Sequence, residues 1–264
     1  MQLLSINNIV EICVPLIIIL LGTAYPIILN NISNIGEKYH SKYIIALFKQ
    51  ERFYFDIWIA LLSMLSGMVN VLTLLLFLIP ATHFTGNITQ FVLALNEGEW
   101  SVVIRLLGMI LCFGGGGVLS GVLFSKKKFE PTKRYGLLLL TFGIIMLGLF
   151  LIGLRDERWL YYFSFVVGTQ NGMFIYYHGM IVRTSHFTGY LTDIGVVIGR
   201  LIRGQKKERW KVLFYFTSML FFGIGGTISF QFFKLYSDAT IILISVGYMI
   251  LGFYYFSFRK LFFH

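Results

Sequence analysis

Ser185-His186-Phe187-Thr188-Gly189-Tyr190-Leu191-Thr192-Asp193 is a polar nonapeptide in an otherwise oily chain, and it occurs twice. Its twin, Thr82-His83-Phe84-Thr85-Gly86-Asn87-Ile88-Thr89-Gln90, lies 103 positions upstream. Both copies follow a long apolar run and open a short one, so two halves of the chain are expected to share one architecture. Moving outward from them, further markers keep their order. The first half runs Gly67-Met68-Val69-Asn70, motif, Trp100, Gly114-Gly115-Gly116-Gly117; the second runs Gly168-Thr169-Gln170-Asn171, motif, Trp210, then Gly223, Gly225 and Gly226.

Around these markers the composition fixes the broad class. Hydrophobic residues make up 57% and charged ones 13%, with mean hydropathy +0.77, whereas soluble domains carry roughly 25% charged residues. A hydrocarbon core about 30 Å thick needs about 20 apolar residues per helix, and backbone groups in lipid must be bonded internally. Seven runs qualify, at 9–29, 55–80, 100–125, 135–153, 159–181, 211–233 and 238–257. Ten-residue alternating segments are missing, which excludes a barrel. The expected fold is an all-α integral membrane protein of about seven transmembrane helices.

A formal charge of +10 invites a nucleic-acid reading, and the placement of the charges removes it. Of 22 Lys and Arg, 18 fall in alternate connections: 38–52, 126–134, 183–211 and 259–260. Arg155, Arg158 and Lys234 belong to the opposite side, and Arg105 sits near the end of a run, placed to snorkel. The positive-inside rule makes the basic side cytoplasmic and the amino terminus external, with anionic lipids as partners at that face. The carboxyl terminus is then cytoplasmic. Cys13 and Cys112 lie in apolar runs and give neither a disulfide framework nor a metal site. No cofactor is expected. The first run has no basic residue before it and no cleavage site, so it reads as a retained helix.

Three divisions follow. Residues 1–53 hold an extra helix and a basic cytoplasmic connection, in which 43–48 reads as a connecting helix or, alternatively, as a patch on the membrane surface; 54–153 and 154–264 are three-span repeats. An odd number of spans turns the second copy over, giving a 3+3 inverted-topology plan that recurs among transporters. The first motif then falls outside and the second in the cytoplasm.

The residues also carry a likeness. Gly-x-x-Asn, then His83-Phe84-Thr85-Gly86-Asn87, then Gln170-Asn171 and Val182 through Gly195, resemble the YoaK-type family of bacterial membrane proteins, a family of unknown function, over about residues 54–257. That resemblance implies a bacterial plasma membrane and a multi-span helical fold. It supplies no substrate and no catalytic residues.

Chemically, each motif suggests a short helix, over about 86–96 and 189–203, opened by Thr85 or Thr188 as its cap and by Gly86 or Gly189 where the backbone must be approached closely. The free N–H groups at such an end favour an anion or a polar group. His83 and His186 can titrate near neutral pH and are costly in lipid. Asn70, Gln170 and Asn171 are either hydrogen-bond partners between helices or, for the Asn pair, the lining of a site near the bilayer midplane. Asp193 replaces the neutral Gln90, as a salt-bridge partner or a coupling carboxylate. Gly195 and Gly199 suit close packing of helices, as do the clusters at 114–117 and 223–226. The candidate substrate site is therefore Asn70, His83, Thr85, Gly86, Asn171, His186, Thr188, Gly189, Thr192 and Asp193.

The resulting expectation is a small-solute carrier for a neutral polar or anionic molecule. A channel on the same plan is the alternative. An intramembrane enzyme using His186 and Asp193 stands behind both, because seven residues separate the two and no nucleophile is evident; a non-transporting scaffold is the remaining class. A homo-oligomer is compatible with all of them.

Overall fold

The computed structural model describes residues 51–125, 130–173, 175–177, 180–205 and 208–262. The expected helix at 9–29, the surface patch at 43–48 and most of the 1–53 division lie outside the described residues. What is described is helical apart from one small ribbon: α1 Glu51–Phe77, α2 Phe84–Glu97, α3 Trp100–Leu123, α4 Lys133–Leu151, α5 Arg158–Gly172, β1 Ile175–Tyr177, β2 Met180–Ile181, α6 Phe187–Ile202, α7 Arg209–Tyr236 and α8 Thr240–Phe262.

Local chemistry sets the boundaries. Leu78, at φ 58°, and Pro80 two residues on stop α1. The half-length helices α2 and α6 are followed by Gly98 (φ 75°) and Gly204 (φ 84°), left-handed positions that glycine reaches without strain. Between α7 and α8 a 3-10 turn, Ser237–Ala239, begins with Ser237 at φ 51° and ψ −127°, so the two helices cannot be one rod.

Among the described residues, four helical stretches are long and apolar enough to cross a membrane: Phe53–Phe77, Trp100–Leu123, Lys133–Leu151 and Arg209–Lys260, the last made of α7 and α8. The run at 159–181 departs from expectation. Its helix α5 stops at Gly172 after 15 residues, short of a crossing, and the chain continues as the antiparallel ribbon β1–β2. Tyr177, Met180 and Val182 of this stretch are buried, and the Tyr177 hydroxyl donates to the Asp56 carboxylate at 2.8 Å. Non-helical backbone at membrane depth is tolerated where protein surrounds it.

Contacts at helix termini sort the ends. The Arg105–Glu157 pair (2.7 Å) and the Arg155–Asp238 pair (2.6 Å) gather the start of α3, the α4–α5 connection and the α7–α8 turn at one end. At the other end Tyr255 donates to the Thr132 carbonyl (2.7 Å) and Arg259 to the Pro131 carbonyl (2.9 Å), joining the end of α8 to the start of α4. Phe55 and Trp58 pack there against Tyr255 and Phe258 in tilted and edge-on contacts, which places the start of α1 at the same end.

The long helices pair as α1 with α7, α3 with α5 and α4 with α8. Glycines allow backbones to touch, which matters in lipid because apolar burial supplies no drive between helices there. Each contact occurs twice with different partners. Gly67 of α1 meets the Phe222 carbonyl of α7, and Gly168 of α5 meets the Phe113 carbonyl of α3. Gly225 meets the Met64 carbonyl; Gly116 meets that of Phe165. Ser229 donates to the Met68 carbonyl at 2.9 Å, and Ser120 to the Thr169 carbonyl at 2.5 Å. Between α4 and α8, Gly143 lies on Ser245 and Met249, and Gly252 on Gly136 and Leu140.

Candidate functional site

Both motifs sit at the start of a half-length helix, in matching conformations. The residue before each helix is the histidine: His83 has φ −105° and ψ 62°, His186 φ −99° and ψ 67°, and neither side chain caps its helix. Thr85 and Thr188, expected as caps, fall inside the first turn instead. The reason is local: each imidazole folds back over the glycine three residues on, so a Cβ on Gly86 would stand 3.0 Å from the His83 ring and one on Gly189 2.8 Å from the His186 ring. What stands close to the glycines is their own histidines, exposed side chains that a Cβ would push aside.

Aromatic contacts fix the depth of these helix starts. Phe84 packs tilted against Phe113 with ring centroids 4.0 Å apart, and Phe187 edge-on against Phe222 at 4.4 Å. Phe113 stands midway along α3 and Phe222 midway along α7. The amino termini of α2 and α6 therefore point toward the middle of the bundle, where the Phe113 and Phe222 carbonyls rest on Gly168 and Gly67.

The Asn pair brackets the motifs. Thr82 donates its hydroxyl to Asn70 Oδ1 at 2.6 Å, and Asn171 Nδ2 donates to the Ser185 hydroxyl at 2.7 Å. Asn171 Oδ1 also accepts from the Ser185 N–H at 3.3 Å and the Thr184 hydroxyl at 3.4 Å. Each Asn thus ties its helix to the first residue of the motif that follows, rather than to a neighbouring helix. Asn70 and Asn171 are half-buried, while His83, Thr85, His186, Thr188, Thr192 and Asp193 are exposed on the protein and Gly86 and Gly189 half-covered. The Asp193 carboxylate lies against the Tyr215 hydroxyl of α7.

Beside Asn171 the structure builds a polar cluster that the sequence reading did not assemble. Gln170 Nε2 donates to the Leu62 carbonyl (3.0 Å), the Ser66 hydroxyl (2.9 Å) and the Thr184 hydroxyl (2.7 Å), and its Oε1 accepts from Tyr248 (2.7 Å). Ser66, Gln170, Thr184 and Tyr248 are fully buried. The amide is saturated, so this cluster locks α1, α5, α8 and the α6 approach together and offers a solute nothing. The corresponding places of the other half hold Val167, Val69, Ala81 and Leu139, all fully buried and apolar. Gln170 was visible as a polar side chain in an apolar run; Ser66, Thr184 and Tyr248 carried no signal beyond composition.

At the basic end, Glu208 receives both Arg200 (2.6 Å) and Lys211, and these cations hold its carboxyl below the usual glutamate range. Among the described residues no three His, Cys, Asp or Glu side chains gather as metal ligands would.

Half-length helices that open at mid-bundle on a repeated polar element, set among crossing-length apolar helices, define a multi-span helical membrane protein with a polar centre. More particularly, the chain belongs to the family described as "Protein of unknown function (DUF1275)", whose model matches residues 58–254. No curated protein and no solved structure matches the chain.

Proposed function

We propose that this protein is a small-solute transporter of the bacterial plasma membrane, built as an inverted repeat of residues 54–153 and 154–264. The observation that carries the reading is the exchange of partners: what α1 does to α7, α5 does to α3, down to the same glycine-to-carbonyl contacts. Two copies related by an in-plane pseudo-two-fold produce that pattern, and carriers place their solute between such copies, at the ends of discontinuous helices. Helix amino termini at mid-bundle, with His83, Thr85, His186 and Thr188 around them, favour a neutral polar or anionic solute over a multivalent cation. Asn70 and Asn171 hold these elements in place from the inner side. Helices α1, α3, α4, α7 and α8, with α5 continued by its ribbon and the helix expected at 9–29, bring the count to about seven. The positive-inside asymmetry orients the basic end to the cytoplasm, against anionic lipid, and the YoaK-type likeness accords with a bacterial host.

The test is a solute screen by thermal stabilisation of the purified protein, since a solute bound only by the folded form raises its apparent stability, followed by uptake into proteoliposomes. Saturable uptake of a stabilising solute is the expected result. Currents far faster than a carrier's turnover would establish a channel on the same plan. If no solute stabilises the protein or enters the vesicles, the transport reading falls.

A further inference from the structure

The half-length helices have three faces each, and the third is out of place for lipid. One face packs on the neighbouring long helix, through Asn87 and Ala94 in α2 and through Tyr190 and Val197 in α6, all buried. A second is exposed and apolar: Ile88, Val92 and Leu95 in α2, at spacings of four and three, and Leu191, Ile198 and Ile202 in α6. The third carries the exposed polar groups: Thr85, Thr89 and Gln90 in α2, with Leu93 among them, and Thr188, Thr192 and Asp193 in α6, with Val196 among them, and His83 and His186 at the helix starts. Thr89 and Thr192 satisfy themselves on the Thr85 and Thr188 carbonyls at 3.2 Å each, as threonine does within lipid. The Asp193 carboxylate has the Tyr215 hydroxyl of α7, whereas the imidazoles and the Gln90 carboxamide have no such recourse among the described residues.

Depth makes this decisive. The two histidines start helices at the level of Phe113 and Phe222, the middles of α3 and α7, and from there α2 and α6 run back along their neighbours toward opposite ends. Ionisable side chains at such depth face a protein interior or water, because exposure to hydrocarbon is costly. The apolar face supplies a surface for lipid, so the polar face needs another solvent.

We propose that the polar faces of α2 and α6 line two water-filled half-channels that reach from opposite membrane surfaces to mid-bundle, ending at His83 and His186. This deepens the transporter reading and rests on its inverted arrangement of the halves. Each half-channel admits small hydrophilic molecules as far as the histidine, and the interlocked α1–α7 and α3–α5 crossings separate the two.

Cysteine labelling of the full chain tests this, in a background with Cys13→Ser and Cys112→Ser, using a charged, membrane-impermeant methanethiosulfonate. Thr85→Cys and Gln90→Cys should react in intact cells, and Thr188→Cys and Thr192→Cys only after permeabilisation. Each should react at least about tenfold faster than Ile88→Cys, Val92→Cys, Leu191→Cys or Ile198→Cys, since only a hydrated thiol ionises readily. A lipid-soluble maleimide should reach the second group, which shows that those variants are folded and inserted. Polar-face cysteines inert to the charged reagent on both sides would overturn the proposal, meaning that lipid, a second copy or another segment covers the face. Labelling of both sets from one side would overturn it too. Uptake measured on the same variants is read separately, so labelled half-channels without transport would remove the carrier reading alone.

Discussion

Replacing Gln170 by Leu tests whether the buried cluster is a structural lock. The substitution removes at once the Nε2 amide donor shared by the Leu62 carbonyl, Ser66 and Thr184, and the acceptor for Tyr248. Ser66 and Thr184, 3.2 Å apart, can still satisfy each other. The Tyr248 hydroxyl cannot, and a buried hydroxyl left unpaired costs about 1–3 kcal/mol. Hydrogen bonds between helices in a membrane average about 0.6 kcal/mol and reach about 1.7, so losing the remaining bonds adds about 1 kcal/mol. The expected loss is about 2–4 kcal/mol, measured by equilibrium unfolding in mixed micelles. The double variant Gln170→Leu with Tyr248→Phe removes the orphaned hydroxyl and should recover about 1–3 kcal/mol of that loss. A single variant within about 0.5 kcal/mol of the parent, the range of a neutral surface change, would refute the reasoning. So would a double variant less stable than the single, because the cost would then lie in packing and not in the unpaired hydroxyl.

Gly116→Ala should destabilise by about 1–3 kcal/mol or more through overpacking against the Phe165 carbonyl, while Gly114→Ala, with open space at its Cβ among the described residues, should stay near the parent in the same unfolding assay. Asn70→Leu and Asn171→Leu should each release a motif from its helix, seen as faster hydrogen exchange over 82–87 and 185–190, with protection in the α4–α8 pair unchanged. Below the ordinary glutamate pKa, acid should weaken the α6–α7 junction: Glu208 has a lowered folded pKa, so its contribution is present above the unfolded value and fades as pH falls through the folded one. Glu208→Gln should flatten that acid limb in a pH series of thermal melts.

Hydropathy made most of the helices legible. The runs at 55–80, 100–125, 135–153, 211–233 and 238–257 differ from α1, α3, α4, α7 and α8 by a few residues at each end, because a crossing helix must be continuously apolar. The run at 159–181 misled for the same reason: a largely buried ribbon, with Tyr177 and Met180 inside, is as apolar as a helix, and period alone does not separate them. The three consecutive strand-formers Ile175-Tyr176-Tyr177, between Gly172 and Gly179, were the available clue. At the site, both motifs and both half-length helices followed from composition and spacing. The cap did not, since the helix begins one residue after the histidine and the threonine at its second turn position has no orphan group to reach. Nor did the partners of Gln170, which come from elements far apart in the chain.

The exchanged contacts of α1 with α7 and α5 with α3 bear on how the chain is made. Neither half closes on itself: α1 and α3 leave the insertion machinery with their glycine faces bare, and each waits for a helix synthesised later. The early product is thus exposed to wrong partners and to proteolysis until α7 emerges, and its assembly has the slowness of long-range pairing. Two separate half-chains would meet the same need by swapping helices, as the protomers of an intertwined dimer do. Such fragments, cut between Gly153 and Arg158 and expressed together, should restore the protein, whereas either alone should not persist.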